Sequence, residues 1–268
     1  MAKLAIREAL LPGAALHERL TLARELGLAG VEFEAAGLDE RINEIDEGLR
    51  AQGLVASGLN MGATDGWVSA DIERRRRAND QLREALTCAL DLGAEYVTFT
   101  PHFGASDMPD LTPFASPMEL QKELLIWLLR GFSDLAEAMD AALALLPRCR
   151  AETAFLTRLD QAAMFRREVD HHPKIMLAAN TCDMALEEAD LPASLANHAE
   201  AISVIYLADS GRALAGAGEL PFQAIAAALR KLNYPGWLVL DGRPAGSERE
   251  RRAALSASLH YLRNCGLC

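Results

Sequence analysis

Eight short runs of apolar and β-branched residues recur along the chain, and each is followed by a longer stretch whose apolar positions have helical spacing. The runs span 4–10, 30–35, 54–62, 96–103, 142–150, 175–183, 202–210 and 237–242. Eight units in 268 residues leave about 33 residues each, what a strand, a crossover helix and two loops require. Strands joined by helical crossovers pair in parallel, with both sheet faces covered. No linker or compositional break divides the chain. The expected fold is therefore α/β, one closed parallel (β/α)8 barrel over residues 1–268. A doubly wound open sheet is the alternative, but it normally carries a glycine fingerprint after its first strand, and Leu10-Leu11-Pro12-Gly13 is not one.

The intervening helices are amphipathic. Leu20, Leu22 and Leu26 oppose Glu18, Arg19 and Glu25 in the first, and Pro221 stands at the entry of a later one, where its missing N–H costs nothing. The run Arg74–Arg77 reads as a solvated face. The longest helix, 118–143, contains the leucine-rich segment 124–132, which suits either core packing or an exposed docking patch.

The balance of 27 basic and 38 acidic side chains gives a net charge of −11. That argues against a nucleic-acid partner, whose phosphates call for a basic face. No stretch approaches the roughly 20 apolar residues of a membrane span, and charge enters the first ten residues too early for a secretory leader. Five cysteines, an odd number, read as reduced thiols, and the expected location is cytoplasmic. The Cys265–Cys268 pair has metal-clip spacing but no partner pair, and reads as a chain end.

In a parallel barrel, reactive groups gather at the C-terminal ends of the strands. That rule nominates His102 at the end of the fourth run; Arg148, Cys149 and Arg150 at the end of the fifth, followed by Glu152; and Asn180, Cys182 and Asp183 at the end of the sixth. It adds Tyr206, Asp209 and Arg212 on the seventh, and Asp241 and Arg243 on the eighth. Four arginines at one rim of an acidic protein (Arg148, Arg150, Arg212, Arg243) suit a small anionic or polyhydroxylated ligand, since guanidinium binds such groups as a fork. The alternative is that they pair across loops with Glu152, Asp183, Asp209 and Asp241. His102 reads as a proton donor or as a satisfied loop histidine, and Glu152 as a ligand contact or as part of a helix start at 151–160.

The segment 206–246, with its Ala-Asp pair, arginine, Gly-x-Gly-Glu turn and Tyr-x-Gly-Trp before the last strand, resembles the xylose isomerase-like barrels. Residues 146–155 and 179–184, and Gly58-Leu59-Asn60-Met61-Gly62, fit the same pattern. Those barrels include sugar isomerases, ketose epimerases, hydroxypyruvate isomerase and an endonuclease branch. The resemblance implies a divalent metal held by Glu, Asp, His and Glu at the ends of strands five to eight. In this chain those positions carry Leu146, Asn180, Tyr206 and Asp241, separated by the intervals 34, 26 and 35, about what the family shows. Leucine has no lone pair, asparagine is a weak ligand and neutral tyrosine does not compete for Mg2+ or Mn2+, so no bound divalent metal is expected and no other cofactor is implied. A rebuilt zinc site from Cys149, Cys182, Asp183 and His102 is disfavoured, because strand alternation turns both cysteines away from the axis if Arg148 and Asp183 point in.

By resemblance, Glu152 and Arg212 fall where family members contact sugar hydroxyls, and Asp183 where they carry a ligand-binding histidine. The resulting expectation is metal-independent proton transfer next to a carbonyl. Asp241 is the base, Tyr206 or His102 the proton donor, and Arg148 and Arg212 hold the anionic intermediate, with Asn180 and Arg243 also at the ligand. A non-catalytic relative that binds a sugar-like ligand or a protein partner is the second reading, and rim residues with purely structural roles the third. Packing of Tyr206 and Leu146 into the space of the lost metal fits either of these. The resemblance is also compatible with a homodimer formed through outer helices.

Overall fold

The computed structural model describes residues 2–267. Its strands are β1 (Lys3–Arg7), β2 (Gly30–Glu34), β3 (Val55–Asn60), β4 (Tyr96–Phe99), β5 (Ala142–Leu145), β6 (Ile175–Asn180), β7 (Ile202–Leu207) and β8 (Trp237–Leu240). Between them lie α1 (Leu16–Glu25), α2 (Ile42–Gln52), α3 (Ile72–Leu92), α4 (Pro117–Ala138), α5 (Leu159–Glu168), α6 (Thr181–Glu187), α7 (Leu191–His198) and α8 (Phe222–Lys231), and α9 (Glu248–Cys265) follows β8. The strands pair in parallel in sequence order, and β8 closes on β1 through Lys3↔Trp237 to Ile6↔Leu240. This is the (β/α)8 barrel.

Several strands stop earlier than their apolar runs. Pro101 and Pro147 withhold ladder donors just past β4 and β5. Past β6 and β7, side chains take over the backbone: Asn180 caps the first turn of α6 through Cys182 N (3.0 Å), and Asp209 binds the backbone N–H groups of Ser210, Gly216, Gly218 and Leu220 at 2.8–3.0 Å. A Cβ at Gly218 would strike the Asp209 carboxylate, so the turn needs glycine there.

Inside the barrel, alternate strand residues form a cluster of small side chains (Ala5, Ala144, Ala178, Val204, Val239) around Tyr96, Tyr206 and Trp237. The Tyr96 ring occupies the space beside Gly58, where any Cβ would overlap it. Gly58→Ala is expected to destabilise the barrel by on the order of 3 kcal/mol through overpacking, seen as a lower urea midpoint at unchanged slope. The other strand faces, such as Ile6, Phe33, Leu143 and Leu177, pack against the helices.

The 124–132 segment is mainly core: Leu125, Leu128, Leu129 and Phe132 are buried, while Trp127 is exposed and shares a shallow groove with Leu111. Arg74 and Arg75 of the basic run turn back to Asp65 and to the Ser69 carbonyl, so only part of it is solvated. Cys265 is buried at the last position of α9 rather than in a loose chain end; Cys268 lies outside the described residues. No helix among the described residues is long and apolar enough to cross a membrane.

Candidate functional site

The C-terminal mouth of the barrel holds a cavity of about 300 Å3 lined by Arg7, Glu34, Asn60, Thr100, Leu146, Arg148, Glu152 and Arg243 among others. Two polar networks meet around it, one on its floor and one on its rim.

The floor network grows from the inward positions of β1–β4, β7 and β8. Register places Arg7 beside Glu32, and Ile6 beside Leu240, so Asp241 follows on the other flank of Arg7. The Arg7 guanidinium lies 3.5 Å from the Glu32 carboxylate and 3.5 Å from that of Asp241. Glu32 is fully buried and accepts from the hydroxyls of Tyr206 (2.6 Å) and Tyr96 (3.0 Å). Tyr206 Oη in turn accepts from Asn60 Nδ2 at 2.8 Å and shares a 2.8 Å hydrogen bond with Thr98.

Burial raises the Glu32 pKa to about 7, against the opposing pull of Arg7 and the two phenols. Burial works against the charge on Arg7, but Glu32 and Asp241 more than offset it and raise its pKa further. The Tyr206 phenol is pushed well up, by burial first and then by the Glu32 charge.

The rim network joins Arg148, Glu152, Asp183 and Arg212. Arg148 binds Glu152 at 2.8 Å and Asp183 at 3.4 Å, while Arg212 bridges the same two carboxylates, at 3.0 Å to Asp183. Two cations meet two anions, so these arginines do not make the positive field expected of them. The pairing alternative holds for them, with Glu152 and Asp183 as partners. Arg150 is exposed and paired with Glu187, away from the cavity. Asp209 forms no ion pair among the described residues; it organises its own loop. Arg243 lines the cavity and has no carboxylate partner among the described residues.

Several expectations change with these placements. His102 is buried and donates from Nε2 to the Ala105 carbonyl at 2.8 Å, the loop-histidine arrangement rather than that of a donor to a ligand. Tyr206 is 1% exposed and commits its proton to Glu32, which removes it from direct contact with a ligand. Glu152 does not start a helix, since α5 begins at Leu159; it serves the rim network instead. Cys149 does not line the cavity, but its thiol groups with Glu152 and Asp183, with ligand atoms within 4.8 Å of one another; β5 ends at Leu145, so strand alternation does not reach it.

Asp241 follows β8 and stands beside Arg7, which lines the cavity. Asn180 Nδ2 donates to its Oδ2 at 3.0 Å, Arg7 flanks Oδ1, and its side chain is 12% exposed. Asn180 thereby joins α6 to the base position, since its Oδ1 caps that helix.

These donors do not fit the divalent metal that the resemblance implies. Leu146 packs in the apolar interior with Tyr206, both ends of the Asn180 amide are engaged, and the Tyr206 hydroxyl donates to Glu32. Asp241 alone offers an anionic oxygen, with a guanidinium beside it. The Cys149–Glu152–Asp183 group is no better: both carboxylates are bracketed by Arg148 and Arg212, and burial together with Asp183 raises the thiol pKa, which disfavours the thiolate. Cys182 and His102 stand outside that group.

Sequence reasoning missed Arg7, Glu32, Glu34, Asn60 and Tyr96. The available signal was Glu32, a carboxylate between Val31 and Phe33 in a strand of a fully covered sheet.

The family model for the xylose isomerase-like TIM barrel matches residues 20–265. The 3-dehydro-D-guloside 4-epimerase of Escherichia coli K12 is 26% identical over 251 residues, 92% of this chain and 94% of that protein. The D-psicose 3-epimerase of Enterocloster bolteae is 27% identical over 228 residues, 81% of this chain and 73% of the relative. Among solved structures, the E. coli 3-keto-D-glucoside 4-epimerase YcjR in its apo form superposes with a TM-score of 0.87 at 23% identity, covering 99% of this chain and all of that one. With a match over nearly its whole length, the chain belongs to the xylose isomerase-like TIM barrel family.

Proposed function

We propose that this protein transfers a proton next to a carbonyl of a small sugar or hydroxy or keto acid, with no divalent metal. Asp241 is the base. The carrying observation is its carboxylate just past β8, oriented by the Asn180 amide and flanked by Arg7, which itself lines the mouth cavity beside Arg148, Arg243, Glu34 and Glu152. The two curated relatives are named as sugar epimerases, which supports a carbohydrate ligand.

Asp241 takes the proton from one face of the substrate carbon. Leu146 occupies the position of a second base, so no carboxylate stands there to work from the opposite face. One base can move a proton between neighbouring carbons on the same face, which favours isomerisation or exchange over two-base epimerisation. Glu152, Asp183, Arg148 and Arg212 form a prebuilt hydrogen-bonding rim for hydroxyls, and Arg243 is the cation there for an anionic substituent.

The test is deuterium incorporation from D2O into hydroxypyruvate and a panel of ketoses, followed by NMR in chelator-treated buffer. Exchange that persists in chelator and is not raised by added Mn2+ is expected. Exchange appearing only with Mn2+, or none with any carbonyl compound, contradicts the reading. The burial of Leu146 with Tyr206 also favours a second reading, a barrel that binds such ligands without turning them over. It predicts thermal stabilisation by compounds recovered unlabelled.

A further inference from the structure

We propose that the Arg7 guanidinium is the chain's own cation at the reacting oxygen: it receives the carbonyl or enediolate oxygen of the ligand, and Glu32 is the residue that positions it. This rests on the proton-transfer reading above and names the group that answers the developing charge there.

Three observations converge on Arg7. It lines the floor of the mouth cavity, and its side chain stays 28% exposed although its neighbours are buried. It stands beside Asp241, the base, so an oxygen bound to it would sit next to the carbon whose proton Asp241 removes. Its donors are underused: among the described residues the guanidinium makes one hydrogen bond, a long one of 3.5 Å to Asp241, out of five N–H groups. A charged fork with spare donors turned to a cavity is an oxyanion site in waiting.

The seat beneath it is built for a fixed cation. Glu32 faces Arg7 from the neighbouring strand and is held by the hydroxyls of Tyr96 and Tyr206, the latter fixed again by Asn60 and Thr98. These hydroxyls fix Glu32 through Oε1 and leave Oε2, which makes no hydrogen bond, facing Arg7 at 3.5 Å, so the counter-charge beneath the guanidinium is set before charge develops on the ligand. Arg148 and Arg212 are less suited, because each is already divided between Glu152 and Asp183.

Oxalate, a planar dianion with vicinal oxygens like an enediolate, is the probe, measured by calorimetry in chelator. Asp241→Asn should tighten oxalate severalfold by removing a like charge, and Arg7→Met should weaken it at least tenfold in either background. Arg150→Gln, outside the cavity, should leave it unchanged. Arg7→Met leaves Glu32 without its cation, so the neutral pair Arg7→Met/Glu32→Gln guards against misfolding and should show the same loss with a cooperative melt. Arg7→Lys should recover part of the affinity.

Oxalate affinity within threefold of wild type in Arg7→Met or the double variant overturns the proposal, as does failure of oxalate to bind Asp241→Asn. The two readings separate cleanly. Arg7-dependent oxalate binding without any deuterium exchange removes the catalytic reading and keeps the oxygen site; exchange undiminished in Arg7→Met removes only the role of Arg7.

Discussion

Asp241→Asn is expected to lower deuterium exchange by about 10³-fold while leaving the fold intact, because a positioned base contributes on this scale. The substitution preserves shape, and one amide oxygen can still accept from Asn180 Nδ2, now 3.0 Å from Oδ2. Arg7 retains Glu32 as a counter-ion, so no buried charge is left alone. A melting temperature within a few degrees of wild type, together with lost exchange, assigns Asp241 to chemistry. A large drop in stability would assign it to structure.

The second large effect concerns Glu32. Glu32→Ala strips Tyr96 and Tyr206 of their shared acceptor and Arg7 of one of its two counter-ions, and is expected to destabilise by roughly 3–5 kcal/mol. Glu32→Gln keeps an acceptor oxygen and differs from wild type in a pH-dependent way. The folded-state pKa is raised from 4.5 to about 7, so the folded protein favours the protonated form. The associated stability is fully present below pH 4.5 and is lost as pH rises through 7. Moving from 4.5 to about 7 corresponds to roughly 3 kcal/mol. Urea titrations at pH 4.5, 6 and 8 should therefore show Glu32→Gln gaining on wild type as pH rises. A constant difference would mean that Glu32 does not titrate in this range.

The barrel was legible because its repeating unit is long and strongly patterned: eight runs that alternate with helical spacing leave few other topologies. The rim was legible in part. Residues just past β5–β8 lie where the barrel rule puts them, and Arg148, Glu152, Asp183, Arg212 and Arg243 do meet around the mouth. What failed there was the positive field: the ion-pairing alternative holds for Arg148 and Arg212, and which carboxylate each takes, as in Arg212 with Glu152 sixty positions away, depends on loop paths that no local pattern encodes.

The floor was hidden for a different reason. Arg7, Glu32, Asn60 and Tyr96 sit on β1–β4, where the motifs of the second half offered no guide. Their importance comes from register, which sets Arg7 against Glu32 and brings Tyr206 from across the barrel onto the same carboxylate. Tyr206 is expected as a proton donor or as packing in the space of the lost metal; it is buried, and its hydroxyl goes to Glu32, a carboxylate that no motif points to.

The central claim is that protein cations, not a bound ion, carry the positive charge at this mouth. Manganese titration by calorimetry, with elemental analysis of protein purified without chelator, tests it most directly. The account predicts far less than one equivalent of Mn, Mg, Co or Zn and no saturable heat at micromolar Mn2+. One tightly held equivalent, lost in Asp241→Asn, would contradict it.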